Sequence, residues 1–213
     1  MKTVVVGLIT FFSFIGMGFQ DPSQYLEVMQ KNIQLLFEAQ TAEDLQVTVN
    51  AFERIAQSEK DKWHPLYYTS LGYVMMSTRV EDPDVKDEYL DYARERLKEA
   101  MKIEPKESEL VALEGFIYMI RTSIDPASRG QQYSGLAMLA LGKAVAMDPE
   151  NPRALYLQAR MQLGTARFFG SDISDACTLL DQAIYCFDRF EPTHPLDPSW
   201  GKRDAIAVKQ QCE

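Results

Sequence analysis

The chain has 213 residues, 46% hydrophobic and 25% charged, with a formal net charge of −9 at pH 7. That apolar content excludes an intrinsically disordered chain and is enough for one domain with a real core. An acidic balance without a basic stripe excludes the electrostatic footprint of a nucleic-acid or anionic-membrane binder.

Lys2 precedes an apolar run from Val4 to Ile15, and Gly16-Met17-Gly18 follows. A charged start, a short apolar stretch and small residues form the pattern of a secretory leader. The run is 12 residues long, against roughly 20 for a membrane-spanning helix. Cleavage is expected after Gly18, leaving 195 residues and, without Lys2, a net charge of −10. The competing reading, an uncleaved anchor, calls for a longer run. No Cys adjoins the site, which argues against a lipid-anchored form.

Helical signals fill the rest of the chain. Asp21-Pro22 opens a helix in which Tyr25, Met29, Ile33, Leu36 and Phe37 recur at helical spacing. Thr41-Ala-Glu-Asp44 reads as a capping box with Asp in place of Glu, and starts a helix through Val47, Phe52 and Ile55. Helices are then expected from Pro65 to about Arg79 and from Asp82-Pro83 to about Ile103, where Glu104-Pro105 stops the chain. Ser108 to about Thr122 is next, followed by a loop over 125–130 and a helix from Gln131 to Met147. Asn151-Pro152 opens a helix to about Phe169, with Phe168-Phe169-Gly170 read as an apolar loop. Asp172 or Ser171 caps another helix to about Phe190. The segment Glu191 to Pro198 has three prolines and cannot be helical; a capping helix is expected over 198–212. No stretch sustains period-two alternation, so no sheet is expected.

One pattern repeats. Ala-x3-Leu-x2-Ala occurs at Ala93/Leu97/Ala100, Ala137/Leu141/Ala144 and Ala176/Leu180/Ala183, spaced by 44 and then 39 residues. Gly72, Gly115 and Ala159 supply a small residue ahead of each copy, and Pro105 and Pro149 follow the first two. On these residues the chain resembles the tetratricopeptide repeat (TPR) family, in which two antiparallel helices alternate and stack. The spacing is longer than the family's 34-residue period, and the third copy carries Asp188 where the family pattern has Pro. The resemblance implies an all-α, right-handed solenoid of divergent repeats. A degenerate pair spans 22–60, repeats span 65–105, 108–149 and 152–190, and the capping helix closes the single domain of 19–213.

The resemblance also implies a binding role, carried by the first helix of each pair on a concave face. Aligning Pro65, Ser108 and Pro152 as equivalent starts places Tyr73, Phe116, Met119, Arg153, Tyr156 and Arg160 there. Aromatic and Arg residues in a row suit a peptide groove or a carboxylate clamp; aromatics packed in the core and solvated Arg pairs are the plainer readings. The expected function is an exported scaffold or adaptor of a bacterial periplasm or cell envelope, recognising a protein or peptide. The alternative is a ligand-binding accessory of an envelope solute-uptake system.

Chemistry is sparse. The only histidines, His64 and His194, each precede a Pro in an expected loop, and no metal-ligand, phosphate-loop or nucleophile motif occurs. No enzyme activity, cofactor or metal is expected. Cys177 and Cys186 sit nine residues apart on one expected helix, roughly 13 Å at 1.5 Å per residue, too far for a bond. Folding the last helix back antiparallel brings Cys212 beside Cys177, which makes that pair the disulfide candidate and leaves Cys186 a buried thiol. Three reduced cysteines are the alternative.

Overall fold

A computed structural model describes residues 22–212. The leader and its expected cleavage point lie outside the described residues. Among the described residues there are nine α-helices and no strand. They are α1 Pro22–Glu38, α2 Ala42–Ser58, α3 His64–Ser77, α4 Pro83–Ile103, α5 Ser108–Ile124, α6 Pro126–Met147, α7 Pro152–Phe169, α8 Ser174–Arg189 and α9 Lys202–Lys209. A 3-10 turn, Gln210–Cys212, ends the described chain. No described helix is long and apolar enough to cross a membrane.

The helix starts follow from capping chemistry. Thr41 Oγ1 accepts the Asp44 N–H at 3.1 Å while Asp44 Oδ2 accepts the Thr41 N–H at 3.0 Å, a reciprocal box. Asp82 and Asn151 accept the first free N–H groups of α4 and α7, and Pro83 and Pro152 take the first helical position, where no N–H is needed. The expected loop over 125–130 is absent. Asp125 caps Ser128, Pro126 sits in the first turn, and α6 begins five residues earlier than Gln131. Here the Asp-Pro pair acts as a start signal, as at Asp82-Pro83, and overrides Gly130. The capping helix is also shorter than 198–212. Pro198 and Trp200 lie ahead of the helix in irregular chain, and Gly201 (φ 103°) turns it into α9.

Consecutive helices pair as α1/α2, α3/α4, α5/α6 and α7/α8, and each pair packs on the next through α2/α3, α4/α5 and α6/α7. All three Ala-x3-Leu-x2-Ala copies are buried, with Leu97, Leu141 and Leu180 at most 1% exposed. Two glycines permit close approach. A β-carbon on Gly72 would lie 2.5 Å from Val49 Cγ2 of α2, and one on Gly115 would lie 2.5 Å from Leu141 Cγ of α6. The core forms one cluster over α1–α5, another over α5–α9 and a small third of Val111, Ala112, Ala144 and Ala154, with Phe116 and Trp200 packed against the first two.

Two long-range ties fix the C-terminal part. Cys177 on α8 is bonded to Cys212 (Cα–Cα 5.9 Å), and Cys186 is a buried free thiol. The segment between α8 and α9 runs back onto the first helices of earlier pairs. Leu196 is fully buried, its carbonyl accepts the Tyr68 hydroxyl at 2.9 Å, and Trp200 Nε1 donates to Tyr67 Oη at 2.9 Å.

Candidate functional site

The helix face assigned to a partner divides into two parts. At its α3/α5 end it is covered by the chain itself. The Phe116 ring stacks on Trp200 at 5.9 Å, and Tyr73 lies among Tyr89 and Tyr92 of α4, with centroids 6.4 Å and 5.5 Å away. Arg153 is not a surface clamp. It is fully buried, its Nε donates to both carboxylate oxygens of Glu109 at 2.8 Å, and Nη2 lies 2.7 Å from Glu109 Oε1. The Phe190 ring lies 4.3 Å from its guanidinium carbon. Burial alone would lower the Arg153 pKa, but the Glu109 carboxylate outweighs it and holds the guanidinium charged. An Arg stands in the core because Glu109, 44 residues earlier, pairs its charge, while Nη1 donates to the Trp200 carbonyl at 3.4 Å. Tyr156 is also buried, at 2% exposure.

At the other end the face opens. A cavity of about 740 Å³ lies between the last turns of α5, the first turns of α6 and the C-terminal half of α7. Met119 and Ile120 of α5, Pro126, Ala127 and Gly130 of α6, and Met161, Gly164, Phe168 and Phe169 of α7 supply an apolar lining. Thr122, Ser123, Gln131, Ser134 and Thr165 add neutral polar groups, and Arg160 brings the only charge in the lining. Arg160 is exposed, its Nη1 stands 3.5 Å from Tyr156 Oη, and no described carboxylate lies within ion-pair distance. Phe168 and Phe169 form the last turn of α7, not a loop, at 69% and 72% exposure and edge-to-face at 5.1 Å. Gly170 (φ 65°) terminates the helix directly behind them. The volume and lining match a small-molecule site, an apolar cleft with few polar groups.

The fold is a TPR-like helical solenoid. Its similarities to solved structures are consistent with a binding scaffold. The chain superposes on the HusA haemophore from Porphyromonas gingivalis with a TM-score of 0.80 and 26% identity, over 89% of this chain and 92% of that one. It also superposes on a thermophilic TPR protein from Thermus thermophilus with a TM-score of 0.58 and 17% identity, over 90% of this chain and 81% of that one. Neither a family model nor a curated protein matches the chain.

Of the six residues expected on a binding face, Met119 and Arg160 line the cavity; Tyr73, Phe116, Arg153 and Tyr156 do not. Sequence reasoning missed the α6 part of the lining, because the supposed loop over 125–130 hid it. The signal was present in Pro126-Ala127, Gly130 and Gly164, small residues that leave room where neighbouring turns carry bulk.

A second cluster was also missed. His64, the first residue of α3, meets His194 and Asp197 of the α8–α9 segment. His64 Nε2 stands 3.2 Å from Asp197 Oδ1, and the two imidazoles stack at 4.6 Å. Burial drives the His64 pKa down to about 4, only partly offset by Asp197, so the ring is neutral at pH 7.

Proposed function

We propose that the chain binds a flat, amphiphilic small molecule of the haem or porphyrin class in the α5–α6–α7 cavity. The observation that carries this reading is the cavity itself: an apolar slot edged by Phe168 and Phe169, with Arg160 as the one charge. A porphyrin combines an apolar macrocycle with carboxylate side arms. The macrocycle suits the Met119, Met161 and phenylalanine surfaces, and a carboxylate suits the Arg160 guanidinium, which touches the Tyr156 hydroxyl but no described carboxylate. The likeness to a haemophore over most of both chains supports the same class. On this reading the protein is a binding protein and not an enzyme, and it is exported. The leader-like start and the Cys177–Cys212 bond agree with an oxidising compartment.

The adaptor reading has less support. Its groove would need Phe116 and Arg153, which Trp200 and Glu109 already engage.

The test is an absorbance titration of the chain with haemin, in wild type and in Arg160→Ala. Saturable binding at about one per chain is expected, weakened about ten- to a hundredfold by the loss of a charge-assisted contact. Absence of saturable binding to haemin and to metal-free protoporphyrin would overturn the proposal.

A further inference from the structure

The histidine cluster takes no part in the cavity. It joins the start of α3 to a segment 130 residues later, and one ligand atom from each of His64, His194 and Asp197 lies within 4.8 Å of the others. The geometry points to a binding site for a borderline divalent transition ion, zinc above all, that clips the α8–α9 segment to α3. This site is separate from the porphyrin reading and does not depend on it.

Two imidazole nitrogens and one carboxylate oxygen are a ligand set that zinc takes with a water in the fourth position. Bonds of about 2.0–2.2 Å place the ligand atoms of a tetrahedral site about 3.4 Å apart. His64 Nε2 and Asp197 Oδ1, at 3.2 Å, already stand at that edge length. His194 completes the set by swinging out of its stack on His64.

The surroundings orient the ligands. Asp197 Oδ2 accepts the His194 N–H at 2.8 Å and the Thr193 hydroxyl at 2.9 Å, which leaves Oδ1 for the ion. Such outer-shell bonds fix a ligand's direction. With His194 Nδ1 accepting the Leu196 N–H at 3.2 Å, the ring proton sits on Nε2, so ligation through Nε2 requires that proton to move to Nδ1. On binding, each neutral ring carries its proton on Nδ1, and His194 gives up that long contact. Trp63 stacks on His64 at 3.9 Å and walls one side. The His64 and Asp197 side chains keep 10% and 16% of their surface exposed, which gives the ion and its water a way in.

The plainer account, a His64–Asp197 hydrogen bond that pins the segment, needs no metal, and it predicts differently. Untagged, chelator-stripped chain is titrated with zinc alone by calorimetry, and its Tm is read with and without zinc. One zinc per chain and a rise in Tm are expected for wild type, and both are lost in His194→Ala. Helical circular dichroism establishes that the variant is folded. Should it fail to fold, cobalt(II) titration of wild type decides: visible bands of a tetrahedral site without a thiolate band support the proposal. No zinc uptake at 100-fold molar excess, or uptake unchanged in folded His194→Ala, overturns it.

Discussion

Leu141 Cγ lies 2.5 Å from the point that a β-carbon on Gly115 would occupy, and Cδ2 lies 2.6 Å away. Leu141 is fully buried, so it has nowhere to retreat. Gly115→Ala should therefore destabilise the chain by about 1–3 kcal/mol despite the better helix propensity of Ala. Gly142, one residue beyond Leu141, faces open space. Gly142→Ala should stabilise by about 0.5–1 kcal/mol. Urea unfolding of both variants checks the pair, and equal shifts would refute the close approach.

The Arg153–Glu109 pair makes a different prediction. Removing one partner leaves the other charge buried, so Arg153→Met should cost about 3–5 kcal/mol. Glu109→Leu/Arg153→Met, with no lone charge, should cost less than Arg153→Met alone. A double-mutant cycle in urea measures the difference.

Much of the helical frame was legible because its signals are local. Asp82-Pro83 and Asn151-Pro152 cap and start helices within four residues, and the buried Ala and Leu positions recur at fixed spacing. What escaped was non-local. Nothing near Arg153 in sequence marks it as buried, because its partner is one repeat away. His64 and His194 read as loop residues, since only the return of the α8–α9 segment brings them together. The cavity was half legible: Arg160 and Met119 stood out as a charge and a soft apolar residue, while the α6 wall lay hidden in a misread loop.

Phe168 and Phe169 are exposed and spend apolar surface on no core contact. Phe168→Ser/Phe169→Ser should leave the Tm within a degree or two of wild type, since neither ring supports the fold. It should weaken haemin binding by tenfold or more. A large fall in Tm with unchanged binding would assign the two rings to packing instead.

Cys186 is 9% exposed, and burial raises its pKa, with Glu150 and Asp148 adding to the shift. The thiol stays protonated and shielded near neutral pH, and thiolate is the reactive form. A chromogenic thiol reagent at pH 8 should react slowly with native chain. It should count one thiol after denaturation without reductant and three after reduction. Rapid reaction of the native chain would contradict this placement.

The return of Leu196 and Trp200 onto Tyr68 and Tyr67 has a consequence for how the molecule comes together. A repeat stack whose units touch only their neighbours can fold piecemeal from either end. Here contacts that span about 130 residues bind the last part of the chain to its second helix pair. Synthesised from the N-terminus, the polypeptide must reach Leu196 and Trp200 before those contacts close. Until then the Tyr67 and Tyr68 hydroxyls stand without their late-arriving neighbours. A truncation just before Leu196 should therefore keep the stacked helix pairs but lose the ties to Tyr67 and Tyr68, and a broader urea transition than that of the full chain is the expected sign.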